Sequence, residues 1–255
     1  MTSAGRVGAN LATLANALLG VGAILYTLAG NKLWAMLLIG CGVGFDGLDG
    51  ILSRRAGGPP SSSGRVLDSV ADAITFGLAP GVLIAVHTEH ASLWAPWSGY
   101  ALVVGGLVSA LAIGRLVYFT WRGWQHPHFV GASTPQNALA IVVLVLFFDE
   151  PGFLGTNPLV VLLAAALLAL LMVSPIPYPK LRRGMWLRGV MIGTAAALGV
   201  SLVPLEFRPA AGTPFYFVGA AAAAVAAIGL ATYYVLGPRA ARAAAGAAGD
   251  GGSDG

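Results

Sequence analysis

The stretch DGLDGILSRRAGGPPSSSGRVLDSVAD, residues 46–72, determines how the rest of this chain is interpreted. It places four carboxylates, Asp46, Asp49, Asp68 and Asp72, inside or beside two long apolar segments. A charged side chain at the centre of a membrane costs roughly 2.5–3.5 kcal/mol. Four carboxylates so close together therefore need a compensating partner, and a bound cation is the simplest one.

The spacing of these acids predicts how they could share a cation. Asp46 and Asp49 are three residues apart, so on a helix they lie on one face. Gly64, Asp68 and Asp72 follow one another at intervals of four and form a second single-faced stripe. The Gly, Pro and Ser residues between the two groups predict a loop. Two helices joined by this loop would be antiparallel neighbours, with their carboxylates facing one another across one cleft.

Composition bounds the class of protein. The chain has 255 residues, of which 57% are hydrophobic and 9% are charged, whereas soluble domains are about 25% charged. The single cysteine, Cys41, excludes an internal disulfide and a cysteine-based metal cluster. The net charge of +4 does not indicate nucleic acid as a partner, because most basic residues fall in loops on one side of the membrane.

Repeated apolar runs of near 20 residues predict an all-α, polytopic membrane protein. About eight transmembrane helices are expected, with a range of six to eight. They run roughly over residues 9–29, 33–55, 66–88, 99–121, 134–149, 157–174, 186–204 and 213–236. The sequence further divides into a catalytic helical domain (1–185), additional C-terminal spans (186–240) and a low-complexity tail (241–255) that we expect to be disordered.

The distribution of basic residues predicts the orientation in the membrane. With the N-terminus in the cytoplasm, only Lys32 and Arg208 face outside. The cytoplasmic segments then hold Arg6, Arg54, Arg55, Arg65, Arg122, Lys180, Arg182, Arg183, Arg188, Arg239 and Arg242. This pattern predicts a multi-pass protein of the cell (plasma) membrane with the aspartates at its cytoplasmic face.

The ligand type favours a hard cation at the aspartates. Carboxylate oxygens without a thiolate or nearby histidine suit Mg²⁺, Mn²⁺ or Ca²⁺ better than Zn²⁺. Four carboxylates can hold two divalent ions, and such a pair suits phosphoryl-type transfer. The alternatives are a structural polar network or the ion path of a cation transporter. A transporter would spread its acids through the membrane depth, whereas these cluster at one face beside an arginine pair.

The same positions resemble the signature of the CDP-alcohol phosphatidyltransferase family, D-x2-D-G-x2-A-R-x8-G-x3-D-x3-D. Ser53 stands where alanine is usual, and nine residues rather than eight separate Arg54 from Gly64, so either Arg54 or Arg55 fills the arginine position. The matching residues are Asp46, Asp49, Gly50, Ser53, Arg54, Gly64, Asp68 and Asp72. Residues 10–16, 129–135 and 171–180 are in addition similar to the bacterial and archaeal integral-membrane phosphatidylserine synthases.

The resemblance implies a reaction. The donor would be CDP-diacylglycerol or its archaeal ether-lipid counterpart, the acceptor L-serine, and CMP the leaving group. It implies two divalent cations, Mg²⁺ or Mn²⁺, held by the four aspartates, with Asp72 also the general base. Asp49, Gly50, Ser53, Arg54 and Gly64 would bind the CDP-lipid. Family members are typically homodimers. Other acceptors within the family are glycerol 3-phosphate and inositol phosphate.

Arg115 is a further candidate site residue. It lies about two helical turns inside from Arg122, roughly 10 Å deeper, and a buried arginine needs an anion. It could pair with an aspartate of the cluster or bind the serine carboxylate. Ser133 and Thr134 are predicted to help shape the acceptor pocket.

Overall fold

The computed structural model describes residues 3–55, 62–86, 97–121, 129–148, 158–178, 186–206 and 214–250. These residues are helical apart from turns and one short pair of strands. In chain order the elements are α1 (Ser3–Leu28), α2 (Lys32–Arg55), α3 (Ser62–Asp72), a π-helix (Ala73–Leu78), α4 (Ala79–Val86), α5 (Ser98–Trp121), β1 (Phe129–Val130), α6 (Thr134–Phe148), α7 (Pro158–Val173), β2 (Pro177–Tyr178), α8 (Trp186–Glu206) and α9 (Pro214–Asp250).

Five helical segments in the described residues are long and apolar enough to cross a membrane. They are Val7–Leu28, Lys32–Ser53, Gly64–Val86, Ser98–Trp121 and Phe217–Ala243. Three shorter apolar helices accompany them, at Thr134–Phe148, Pro158–Val173 and Gly189–Leu202. The chain is therefore an all-α, multi-pass membrane protein, as the sequence predicts.

Close contact between glycines and Thr75 holds the first two helices against the π-helix. A Cβ added at Gly20 would lie 2.7 Å from the Thr75 Cα, and one added at Gly42 would lie 2.5 Å from the Thr75 Cγ2. Both distances are shorter than side chains tolerate. The Thr75 hydroxyl also donates to the Asn16 carbonyl at 2.7 Å. Small residues thus bring α1, α2 and the third span together, as expected for packing inside a membrane.

The third span is not a regular α-helix. It runs as α3 to Asp72, continues as the π-helix and resumes as α4. The sequence predicts a kink at Pro80, whose ring would clash with the carbonyl of Phe76 in a regular α-helix. A wider π turn just before Pro80 relieves that clash, and such turns are frequent at functional sites. The irregular stretch begins directly after Asp72, the last acid of the motif.

Helix α6 lies at the centre of the bundle. Ten of its residues are buried, and α2, α4, α7, α9 and the π-helix all pack against it. By contrast, α1, α5 and α7 expose leucines and valines such as Leu18, Val103 and Leu163, as expected for helices that face lipid. Because α6 is buried all round, its first turn is well placed to form a site inside the protein.

The strands form a short antiparallel connection ahead of α6. Phe129 pairs with Tyr178, and Val130 pairs with Pro177. The next residue, Gly131, has a φ of 76°, a conformation that favours glycine. Its amide donates to the Ile176 carbonyl at 2.9 Å. A Cβ at this position would collide with the Met172 carbonyl oxygen. The start of α6 is thereby fixed against the end of α7.

Two features describe the C-terminal region of the structure. The structure continues α9 to Asp250, into the tail (241–255) for which composition predicts disorder. Alanine has the highest helix propensity, and it dominates this segment. In addition, α8 packs against α2, and α9 packs against α6 and β2. The last two helices therefore belong to the same bundle as the spans that precede them.

Candidate active site

Three aspartates of the motif converge in the structure. Asp46 on α2 and Asp68 and Asp72 on α3 each offer a carboxylate oxygen, and these oxygens lie within 4.8 Å of one another. The carboxyl of Asp49 lies close to that of Asp68. The helix spacing thus brings together all four acids, which we call the acidic cluster. The Gly/Pro/Ser segment at 56–61, predicted to be a loop, lies outside the described residues.

Two side chains of α1 hold the acidic cluster from one side. The Thr13 hydroxyl donates to Asp49 Oδ2 at 3.0 Å, and Asn16 Nδ2 donates to Asp72 Oδ1 at 3.0 Å. Asp49 and Asp72 are only 7% and 8% exposed. A neutral donor orients a buried carboxylate and stabilises its charged form. Thr13 and Asn16 therefore fix two of the four carboxylates in place.

The donor set of the acidic cluster fits a hard divalent cation. All four ligating groups are carboxylates, which prefer Mg²⁺, Mn²⁺ or Ca²⁺. Among the described residues, the buried Asp68 Oδ1 has no hydrogen-bond partner. Leaving a buried charged oxygen unpaired is costly, and a bound cation would remove that cost.

The remaining motif residues flank the acidic cluster. Gly50 and Ser53 lie half-buried on the last turns of α2, and Gly64 lies half-buried at the start of α3. Arg54 and Arg55 end α2, but their side chains are outside the described part of the structure. The motif positions other than the aspartates thus lie at the two helix ends that border the loop segment.

A second polar group surrounds the first turn of α6. Arg115 on α5 is only 7% exposed. Its Nε donates to the Met172 carbonyl at 3.2 Å, and its Nη1 donates to the Thr134 hydroxyl at 3.1 Å. Its guanidinium also lies over the Phe119 ring, 4.5 Å from the centroid. We call Arg115, Ser133, Thr134 and Asn137 the donor cluster. The structure brings together the three predicted acceptor-pocket residues, Arg115, Ser133 and Thr134, with Asn137 as a fourth.

The two clusters lie at a similar depth. Helix α5 runs antiparallel to the third span: Ser69 and Thr120 share a 2.6 Å hydrogen bond, and the Ser109 hydroxyl donates to the Gly77 carbonyl at 3.2 Å. This register places Asp72 about two residues from the level of Arg115. At 1.5 Å per residue, that is about 3 Å along the helix axis. The donor cluster is therefore at the height where a reaction at Asp72 would take place.

Several residues at the two clusters were not predicted as site residues. Thr13 and Asn16 are two of the few polar side chains in a largely apolar first span, and that contrast is the available signal. Asn137 lies two residues after the 129–135 segment. Tyr233 and Tyr234 form an adjacent tyrosine pair within an apolar helix. Their approach to α6 depends on tertiary packing, which no local pattern reveals.

Comparison with known proteins agrees with the motif. The model of the CDP-alcohol phosphatidyltransferase family matches residues 6–173. The chain is 30% identical over 201 residues to a CDP-diacylglycerol–serine O-phosphatidyltransferase of Helicobacter pylori, covering 77% of this chain and 82% of the relative.

Two further relatives point the same way. A protein of the same name from Bacillus subtilis is 30% identical, over 67% of this chain and 89% of its own length. An archaetidylserine synthase of Methanothermobacter thermautotrophicus is 30% identical, over 67% of this chain and 69% of its own length. With a family match across more than half of the chain and relatives similar along most of their length, this protein belongs to the CDP-alcohol phosphatidyltransferase family.

Proposed function

We propose that this membrane transferase moves the phosphatidyl group, or its ether-lipid equivalent, from a CDP-lipid to L-serine and releases CMP. The observation that carries the proposal is the convergence of the Asp46, Asp68 and Asp72 carboxylates within 4.8 Å. Those residues are the matching positions of the family signature. The names of the relatives, two serine O-phosphatidyltransferases and an archaetidylserine synthase, support serine as the acceptor.

The acidic cluster would hold the metal in this proposal. Asp46, Asp49, Asp68 and Asp72 would bind two divalent cations, Mg²⁺ or Mn²⁺, which when bound neutralise the diphosphate of the donor. Gly50 and Gly64 leave room for the nucleotide to approach the backbone. Ser53 offers a hydroxyl, and Arg54 offers charge for a phosphate oxygen.

Asp72 is assigned the role of general base. Its carboxylate is buried, and Asn16 holds its Oδ1 at 3.0 Å, which leaves Oδ2 to accept a proton. Asp72 takes the proton of the serine hydroxyl, the serine oxygen attacks the lipid-side phosphorus, and the bond from that phosphorus to the CMP oxygen breaks. The products are a phosphatidylserine-type lipid and CMP, and the proton remains on Asp72 until it is released to solvent.

We assign the donor cluster, which is a group of hydrogen-bond donors, to the binding of serine, the acceptor substrate. Serine carries a carboxylate that a guanidinium can bind, and Arg115 lies at about the depth of Asp72. Thr134 begins the adjacent helix α6, and Ser133 directly precedes it. Glycerol 3-phosphate and inositol phosphate are the competing acceptors. Each brings a phosphate with up to two negative charges, whereas Arg115 brings one positive charge to this cluster.

Orientation and assembly complete the proposal. The basic segments of the sequence favour an orientation with the acidic cluster at the cytoplasmic face of the plasma membrane, where serine and CDP-lipid would both reach it from the cytoplasmic side. The active unit is a homodimer, as the family resemblance implies. Cross-linking in native membranes should give a species of twice the monomer mass. A purely monomeric species in lipid nanodiscs would contradict the dimer and leave the chemistry unaffected.

CMP release tests the proposed function. Purified protein in nanodiscs receives CDP-diacylglycerol or its ether-lipid counterpart, with Mg²⁺ or Mn²⁺, and L-serine, glycerol 3-phosphate or inositol phosphate in turn. We expect release with serine alone. Release with one of the phosphorylated alcohols would discard serine and keep the acidic-cluster mechanism. Folded protein that releases no CMP with any acceptor would favour the cation transporter.

A further inference from the structure

Two buried polar atoms at the start of α6 are without a hydrogen-bond partner in the described part of the chain. They are the Ser133 hydroxyl oxygen and the Asn137 Nδ2. Ser133 is 8% exposed and Asn137 is fully buried. A buried polar atom left unsatisfied is costly. The two atoms therefore indicate that a polar ligand completes this site.

Helix α9 holds both residues from the other side. The Tyr234 hydroxyl donates to Asn137 Oδ1 at 3.2 Å, and the Tyr233 hydroxyl accepts from the Ser133 backbone amide at 3.4 Å. Because Asn137 Oδ1 is already bonded, its Nδ2 is the atom left for a ligand. Tyr233 is itself held by Tyr178, with stacked rings 5.2 Å apart. The tyrosine pair thus fixes the position of Ser133 and the direction of the Asn137 amide.

The chemistry of the site selects an anion. Asn137 Nδ2 and the Arg115 guanidinium are donors only, and a serine hydroxyl such as that of Ser133 can donate. The first turn of α6 adds backbone amides at the positive end of a 15-residue helix. One guanidinium and neutral donors match a single negative charge, such as a carboxylate, better than a phosphate dianion.

We propose that Asn137 binds the carboxylate of the acceptor together with Arg115, and that Tyr233 and Tyr234 are positioning residues for this subsite. The inference rests on the proposed function, because it assumes that the acceptor is an amino acid. It assigns acceptor recognition partly to α9, which lies beyond the segment that matches the family (6–173). The C-terminal helix therefore contributes to the choice of acceptor.

The test separates serine binding from donor binding. Steady-state kinetics of CMP release are measured with wild type, Asn137→Ala and Tyr234→Phe, varying serine and CDP-diacylglycerol separately. We expect Asn137→Ala to raise the KM for serine about 10-fold or more, as for loss of a hydrogen bond to a charged group. Tyr234→Phe should raise it by a smaller factor. The KM for CDP-diacylglycerol should stay within about 2-fold, because neither substitution removes a proposed hydrogen bond to the CDP-lipid.

The controls distinguish recognition from folding. Tyr100→Phe removes a hydroxyl from an exposed tyrosine on α5 and should leave both KM values unchanged. Asn137→Asp keeps the size of the side chain but replaces its amide donor with a carboxylate. It should raise the KM for serine further than alanine does, because like charges repel, and it provides a second variant if Asn137→Ala does not fold.

Two results would overturn the subsite. An unchanged serine KM in both Asn137 variants would show that Asn137 does not bind the acceptor. Equal increases in the KM for serine and for CDP-diacylglycerol would show a structural role instead. Failure of the proposed function is seen separately, in wild type: CMP release only with a phosphorylated alcohol would remove both the serine assignment and the carboxylate subsite.

Discussion

The acidic cluster and the donor cluster lie at similar depth in one bundle but have opposite chemistry. The acidic cluster presents carboxylates, with the Asp68 Oδ1 unpaired among the described residues, and suits cations. The donor cluster presents a guanidinium, an amide and hydroxyls, and suits an anion. The proposed transfer of a phosphatidyl group from a CDP-lipid, whose diphosphate is neutralised by cations, to an amino acid needs one site of each kind. In the proposed function, the acidic cluster activates the CDP-lipid and the donor cluster recognises the acceptor.

Removal of divalent cations should have the largest effect and should act on the acidic cluster alone. Chelation with EDTA should abolish CMP release, and Mg²⁺ or Mn²⁺ should restore it, because the diphosphate needs charge neutralisation. The same cations should raise the unfolding temperature, since they bind the native carboxylates. Asp46→Asn is the control, because it should weaken this thermal shift. Full activity after exhaustive chelation would contradict a metal site at the acidic cluster.

Asp72→Asn should have the next largest effect. The substitution keeps the size of the side chain and its contact with Asn16 but removes the base. General bases contribute about 10²–10⁴-fold, so kcat should fall by that range while CDP-lipid binding is largely kept. Turnover and equilibrium binding of a CDP-lipid are measured on the same preparation. Loss of donor binding together with turnover would make Asp72 mainly a metal ligand.

Asn16→Ala tests whether α1 orients the acidic cluster. It removes the 3.0 Å hydrogen bond to Asp72. Hydrogen bonds to charged groups contribute about 1.5–3 kcal/mol, so we expect CMP release to slow by about 10-fold or more, with the KM for serine unchanged. Asn10→Ala is the matched control, since Asn10 is exposed on the same helix. Equal effects of the two variants would contradict a specific role for Asn16.

Gly20→Ala should have the smallest effect on chemistry and a clear effect on stability. Its Cβ would lie 2.7 Å from the Thr75 Cα, and overpacking costs about 1–3 kcal/mol. Thermal unfolding in detergent should show a lower Tm. Gly44→Ala is the matched control, because a Cβ there meets nothing within 4 Å. A Tm for Gly20→Ala at or above that of Gly44→Ala would show that α1 does not pack closely on the third span.

The two clusters also differ in how far the sequence could predict them. The acidic cluster is encoded by spacings of three and four residues on two helices, so a local pattern was sufficient to predict that Asp46, Asp68 and Asp72 meet. The bundle of apolar helices followed from hydropathy alone. The donor cluster joins α5 to the start of α6 and is held by α9, whose Tyr234 contacts Asn137 although it lies 97 residues further along the chain. Sequence reasoning predicts Arg115 because it lies deep in an apolar span, and it predicts Ser133 and Thr134 as residues that help shape the acceptor pocket.

The local irregularities were beyond sequence reasoning for a different reason. Pro80 predicts an irregular helix. Whether the irregularity is a kink or a π turn depends on how Thr75 packs against Gly20 and Gly42. The helical part of the tail depends on alanine propensity, which competed with the low complexity of the same segment. Tertiary contacts therefore account for the π turn, and helix propensity accounts for the helical part of the tail.

The most direct test of the account follows the acceptor into the lipid product. Wild-type protein in nanodiscs is supplied with CDP-diacylglycerol, Mn²⁺ and isotopically labelled L-serine, and the extracted lipids are analysed by mass spectrometry, with Asp72→Asn in parallel. We expect labelled phosphatidylserine from wild type, in amounts that match the CMP released, and almost none from the variant. CMP release without labelled lipid, or equal labelled product from both proteins, would contradict it.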